Sequence, residues 1–129
     1  MSTWKSFEEI EVWQLAREFC KDIYRIMQYE CLKNDYALKD QINRSSGSIM
    51  DNIAEGFGRG GTKEFISFLS ISKGSTAESR SQIHRIYDRN YITDAEYKDL
   101  CDKTYEIENK NGGLIAYLRK SGYKGTKFK

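Results

Sequence analysis

The chain has no proline, one histidine and three cysteines among its 129 residues. Helix interiors tolerate proline least, whereas edge strands and turns often use it, so its absence beside ten glycines sets an all-helical expectation. The single histidine, His84, has Ser81 three residues before it, which excludes the paired E-x-x-H motifs of a di-iron bundle. Cys20, Cys31 and Cys101 are odd in number, widely spaced and without a C-x-x-C, so neither a disulfide framework nor a cysteine zinc site is expected. Free, buried thiols fit better. No run approaches the roughly 18 apolar residues of a membrane span, and residues 1–13 hold no basic flank followed by an apolar core. A cytoplasmic protein with no membrane contact, metal or cofactor is the expectation.

What the chain does contain suits one domain. Its 39% hydrophobic and 13% aromatic content supports a packed core and argues against disorder. The formal net charge of +2 hides an uneven distribution: residues 93–118 carry three basic and six acidic residues, and residues 119–129 five basic and none acidic. This divides the chain into a bundle domain, 1–120, and a basic tail, 121–129. Arg119, Lys120, Lys124, Lys127 and Lys129, interleaved with Tyr123 and Phe128, are of the type that contacts phosphates and stacks on bases. A solvated, frayed end is the plainer alternative.

Four helical stretches are legible. In the first, about 7–28, Ile10, Trp13, Ala16, Cys20, Ile23 and Met27 recur at spacings of three and four. A second row of Val12, Leu15, Phe19 and Ile26 widens the apolar arc beyond what one bundle interior needs, which assigns Val12, Leu15 and Phe19 to a subunit interface. The second stretch, about 36–56, carries Leu38, Ile42, Ser45, Ile49 and Ile53 on one side. Gly56 is expected to end it in the left-handed conformation. The third, about 63–89, is expected to start from an N-cap at Thr62. The fourth opens on a capping box, Thr93-Asp94-Ala95-Glu96, and carries Gly112-Gly113 within it, where it either breaks or meets another backbone. Four such helices with short connections form an antiparallel up-down-up-down four-helix bundle most simply.

Catalytic constellations are missing. Gly56-Phe57-Gly58-Arg59-Gly60-Gly61 matches G-x-G-x-x-G, but the residues before it have helical rather than strand periodicity, so a helix cap and turn explains the glycines. No serine or cysteine sits where an activated nucleophile is expected. Arg44, Glu55 and Glu78 lie among small and apolar neighbours and are read as a structural ion network. The third helix adds Lys73, Arg80, Arg85 and Arg89, which do not form one stripe on a single protomer.

The segment Gln41-Ile42-Asn43-Arg44-Ser45-Ser46-Gly47-Ser48-Ile49-Met50-Asp51-Asn52-Ile53-Ala54-Glu55-Gly56, with Gly58-Arg59 after it and Glu64-Phe65-Ile66-Ser67-Phe68-Leu69 downstream, carries a resemblance. It resembles the signature of the four-helix-bundle family named after proteins encoded in intervening sequences of bacterial 23S rRNA genes. The chain differs from that pattern at Ser45-Ser46 and at Asn111-Gly112-Gly113. The resemblance implies a ring-like homopentamer. It also implies kinship with the accessory variability determinant of diversity-generating retroelements, a basic pentamer that binds nucleic acid and a reverse transcriptase. The leading expectation is therefore a non-enzymatic oligomer associated with RNA or DNA through Arg59, Arg80, Arg85, Arg89, Arg119, Lys120 and Lys124. A protein-interaction scaffold without direct nucleic-acid binding is the competing one.

Overall fold

The computed structural model describes residues 4–125, and within them the helical periodicities become five α-helices. These are α1 (Glu11–Met27), α2 (Glu30–Asn34), α3 (Tyr36–Gly58), α4 (Thr62–Asp88) and α5 (Asp94–Lys120), preceded by a 3-10 turn at Phe7–Glu9. No strand occurs among the described residues. The four long helices pack as a bundle, with α1 seated against both α3 and α5 and α4 against both α3 and α5.

That double seat explains the wide arc of α1 and corrects its assignment. Val12 and Phe19, expected at a subunit interface, are 2% and 0% exposed inside the protomer, and Leu15 packs partly buried against the same core. A helix touching two neighbours needs two adjacent apolar rows. The short helix α2 was not legible as an element of its own: five residues are too few to show a period, and only Leu32, fully buried, anchors it.

α3 begins on the side chain of Asp35, which accepts from the backbone N–H of Leu38, and it runs through Gly56 to Gly58. Gly56 therefore does not end the helix in the left-handed conformation. Gly60, with φ of 85°, makes that turn instead. The reason for glycine at 56 is contact: a Cβ there would stand 2.6 Å from the Cβ of Phe68 on α4 and 3.3 Å from Cδ1 of Phe65. Thr62 is also not the N-cap of α4. Gly61 holds that place, and the Thr62 hydroxyl donates to the carbonyl of Tyr123.

Small polar residues let α3 and α4 approach and then satisfy one another. The Ser45 hydroxyl donates to Gln82 Oε1 at 2.6 Å and accepts from Ser79 at 2.8 Å. Ser48 meets Ser75 at 2.9 Å, and Ser72 donates to the carbonyl of Ile49 at 2.8 Å. Partners on α4 thus fall in number as those on α3 rise. Asn111 on α5 joins this seam by donating to Ser72 Oγ at 3.1 Å. Buried hydroxyls that are paired in this way avoid the penalty of unmet hydrogen bonds and fix the register of the helices.

α5 starts on the expected capping box of Thr93 and Glu96. It then passes through Gly112-Gly113 without a break. No backbone approaches there either: the nearest atom to a Cβ at 112 would be Lys73 Nζ at 3.9 Å, and nothing lies within 4 Å of one at 113. The two glycine sites should respond oppositely to alanine. Gly113→Ala should stabilise by about 0.5–1 kcal/mol through helix propensity. Gly56→Ala should lose about 1–2 kcal/mol net, because the overpacking cost of about 1–3 kcal/mol exceeds the same gain. Urea denaturation of the two variants checks the sign at each site.

The end of the bundle that holds α2 and the α4–α5 turn is tied by ion pairs. Arg89 and the Tyr91 hydroxyl both bond Asp35, the Tyr29 hydroxyl bonds Glu96, and Lys103 and Arg25 both bond Asp22. Burial acts to raise all three carboxyls, but these hydrogen bonds, together with the one that Glu96 accepts from the Thr93 backbone N–H, outweigh it and hold Asp22, Asp35 and Glu96 below their ordinary values. A carboxylate depressed in the folded state stabilises fully above the unfolded value of about 4, and loses that contribution as pH falls through the depressed one. Stability should therefore decline below about pH 4, and Asp22→Asn should flatten the decline in a pH series of urea midpoints.

Candidate functional site

The cations picked out in the sequence divide into two groups. Four are committed to partners within the protein. Arg80 forms a two-pronged ion pair with Glu108, at 2.9 and 3.1 Å, donates to Thr104 Oγ1 at 3.1 Å and lies 4.1 Å over the ring of Tyr105. Its side chain is only 16% exposed, so Arg80 belongs to the α4–α5 packing and not to a free phosphate-contacting surface. Arg59 pairs with Glu55 at 2.6 Å and lies over Phe68. Arg85 donates to Gln41 Oε1 at 2.7 Å, and Arg89 is held by Asp35.

The second group is free. Arg119, Lys120 and Lys124 are exposed and make no ion pair among the described residues. Lys63 and Lys73 on α4 share that state, and neither was marked as a site residue by the sequence. Lys127 and Lys129, with Phe128, lie outside the described residues.

Three chain segments bring the free cations to one end. α3 ends there, α4 begins there with Lys63 in its first turn, and α5 ends there with Arg119 and Lys120 in its last. The segment 121–125 folds back over the α3–α4 loop: the Thr62 hydroxyl bonds the Tyr123 carbonyl, and Gly125, with φ of 92°, sits directly on the backbone of Gly60. A side chain at 125 would collide with that backbone. Tyr123 is 8% exposed and stacks edge-on with Trp4 at 5.7 Å, while Trp4 also meets Phe65 and Tyr117. Tyr123 therefore builds the core of this end and is not offered to a base.

From this end a groove of about 510 Å³ runs between α4 and α5, with Lys73 and Arg119 on its rim and Gly74, Ala77, Gly112 and Ala116 in its floor. Glu108 is the acid in its wall, already neutralised by Arg80. The unbroken course of α5 through Gly112 is what leaves the floor open.

The expected ion network of Arg44, Glu55 and Glu78 is not assembled in the protomer. Arg44 pairs with Asp40 at 3.1 Å and Glu55 with Arg59, each one turn away on the same helix, while Glu78 accepts from Gln82 at 3.4 Å. All three are exposed, and pairs of this kind contribute only about 0.3–0.5 kcal/mol. Among the cysteines, the Cys20 thiol donates to the Ser46 carbonyl at 3.2 Å and is pushed up to about 11 by burial, against the opposing effect of the Ser46 side chain. His84 faces the hydroxyl of Tyr97 at 2.6 Å. No group of three or more His, Cys, Asp or Glu residues that could hold a metal is found among the described residues, and no helix there is long and apolar enough to cross a membrane.

Residues 8–113 match the family described as 23S rRNA-intervening sequence protein. Among solved structures, the chain is similar to a protein with unknown function from the S23 ribosomal protein family of Bacteroides thetaiotaomicron VPI-5482. That likeness has 25% sequence identity and a TM-score of 0.73, and covers 81% of this chain and 97% of the other. No curated protein matches.

Proposed function

The chain belongs to the family of 23S rRNA-intervening sequence proteins, and from that premise we propose that it is a non-enzymatic, homo-oligomeric bundle protein of the cytoplasm that associates with RNA or another nucleic acid through basic surface residues. The observation that carries this reading is the gathering of Arg119, Lys120, Lys124 and Lys63 at one end of the bundle without carboxylate partners among the described residues. Cations left unpaired in a nearly neutral protein suit a polyanion, because contact with phosphates releases condensed counterions. An antiparallel up-down-up-down course is supported by the α3–α4 contacts, which pair Ser45 with Gln82 and Ile49 with Ser72. A ring-like homopentamer, and a reverse transcriptase or other protein as a further partner, rest on the family resemblance alone.

A role outside catalysis is supported by the state of the reactive groups. The Cys20 thiol is half-buried and held in its protonated form, and among the described residues no carboxylate is hydrogen-bonded to the His84 ring that faces Tyr97.

The test is binding of labelled RNA and DNA to the assembled oligomer across a salt series. Binding should weaken with a log–log slope of about 0.7–0.9 per phosphate engaged. No detectable binding of either nucleic acid at low salt would sink the proposal, and a protein partner that copurifies after nuclease treatment would favour the scaffold reading instead.

A further inference from the structure

We infer that the nucleic-acid strand lies along the α4–α5 groove and across the adjoining end, held by Lys73, Arg119, Lys63, Lys120 and Lys124, and that it is gripped by its phosphates without its bases being read. The inference rests on the nucleic-acid association proposed above and gives it a place and a mode.

The groove and the end form one continuous surface. Arg119 belongs to both, lining the groove beside Lys73 and standing one residue from Lys120 at the close of α5. Lys63 and Lys73 lie on the same helix, separated by about 15 Å along its axis at about 1.5 Å per residue. That distance corresponds to about four nucleotides at about 3.4 Å per step of one strand. All five side chains are exposed and lack ion pairs among the described residues, while Glu108, the carboxylate in the groove wall, is neutralised by both prongs of Arg80. The rim cations of the groove therefore face no unpaired carboxylate in its lining, although the chain as a whole is close to neutral. The floor of Gly74, Ala77, Gly112 and Ala116 puts little side chain between a backbone and the rim cations.

Among the described residues, base readout lacks its apparatus here. Sequence-tolerant single-strand binders stack bases on exposed aromatic faces. At this surface Tyr123 is buried against Trp4, and Tyr105, although half exposed, has the Arg80 guanidinium over its ring. Contacts restricted to phosphates position a strand but carry no sequence information.

Fluorescence anisotropy with short labelled oligouridylate and oligoadenylate, each titrated over a salt series, tests both parts. The two RNAs should bind within about threefold of one another, with a log–log slope of about 3.5 if the five cations engage at about 0.7 each. Lys73→Ala with Arg119→Ala should make that slope shallower by about 1.4, and Lys120→Ala with Lys124→Ala by a similar amount. Lys98→Ala, which removes a paired cation at the start of α5, should leave it unchanged. Because the second pair of changes is confined to the end of α5 and the segment beyond it, it reads the same surface even if the first disturbs the fold.

Unchanged slopes in both double variants, with the wild type still binding, would overturn the inference and leave the proposed function standing. A preference of more than about tenfold for one RNA would overturn the base-blind mode. If Lys73→Ala with Arg119→Ala alters oligomer size in sedimentation but leaves binding unchanged, the groove is a contact between copies of the chain and the inference fails. No binding by the wild type at low salt removes the proposed function itself and this inference with it.

Discussion

Phe19→Ala should cost about 3–5 kcal/mol of unfolding free energy, the largest single loss expected from an α1 substitution. The Phe19 ring is 0% exposed within one protomer, on a helix seated between α3 and α5. Removing it deletes the transfer energy of the ring and leaves a cavity that the surrounding core closes only in part. Urea denaturation should show a lower midpoint with little change in slope. Protein concentration discriminates between the two locations considered for this residue. A core residue loses the same amount at every concentration, whereas an interface residue would show a loss that grows or vanishes with the degree of assembly. Leu15→Ala, at a partly buried position on the same helix, should lose less.

Arg80→Ala should cost about 2–4 kcal/mol. The guanidinium satisfies Glu108 with two bonds and Thr104 with a third, and it covers Tyr105. Deleting one partner of a fully buried ion pair costs about 3–5 kcal/mol, because the other charge is left desolvated and alone. Here the two side chains keep 16% and 20% of their exposure, so water recovers part of the loss. A double-mutant cycle checks the mechanism. Arg80→Met combined with Glu108→Met should regain most of the stability lost by Arg80→Met alone, since the stranded carboxylate is then gone. Equal losses in the single and double variants would mean that packing, not charge, holds this junction.

The long helices and the capping box of α5 were legible because their signals are local and repeated: a period sustained over 17 or more residues, and a Thr–Glu pair at the required spacing. What the sequence obscured depended on the distance between chain segments. Gly56 and Gly60 are equally good helix terminators on paper, and only the proximity of Phe68 shows that the first is there for packing while the second makes the turn. Val12 and Phe19 read as surplus until α1 is seen to have two neighbours. Arg44 and Glu55 found partners one turn away, Asp40 and Arg59, before any longer-range network could recruit them.

The candidate site was half legible. Charge counting found Arg119, Lys120 and Lys124 as a basic block. Arg80 carried the same formal charge, but its commitment to Glu108 depends on how α4 and α5 are aligned, which no local pattern encodes. Lys63 goes unmarked in the sequence, and Lys73 stands out there only as one of four cations on α4 that form no single stripe, for the converse reason. Each is an ordinary helix lysine until the fold-back of residues 121–125 and the open floor at Gly112 put cations from α5 beside it.

The contact between Trp4 and Tyr123 joins positions separated by nearly the whole chain. Closing so long a loop is entropically slow compared with zipping α3 onto α4, whose partners are connected by a short turn. Folding should therefore assemble the α3–α4 hairpin early and dock the flanking segments late. During synthesis, the end that gathers Lys63, Lys120 and Lys124 stays unmade until the segment 121–125 has emerged from the ribosome, so the α3–α4 core forms before this cationic end does.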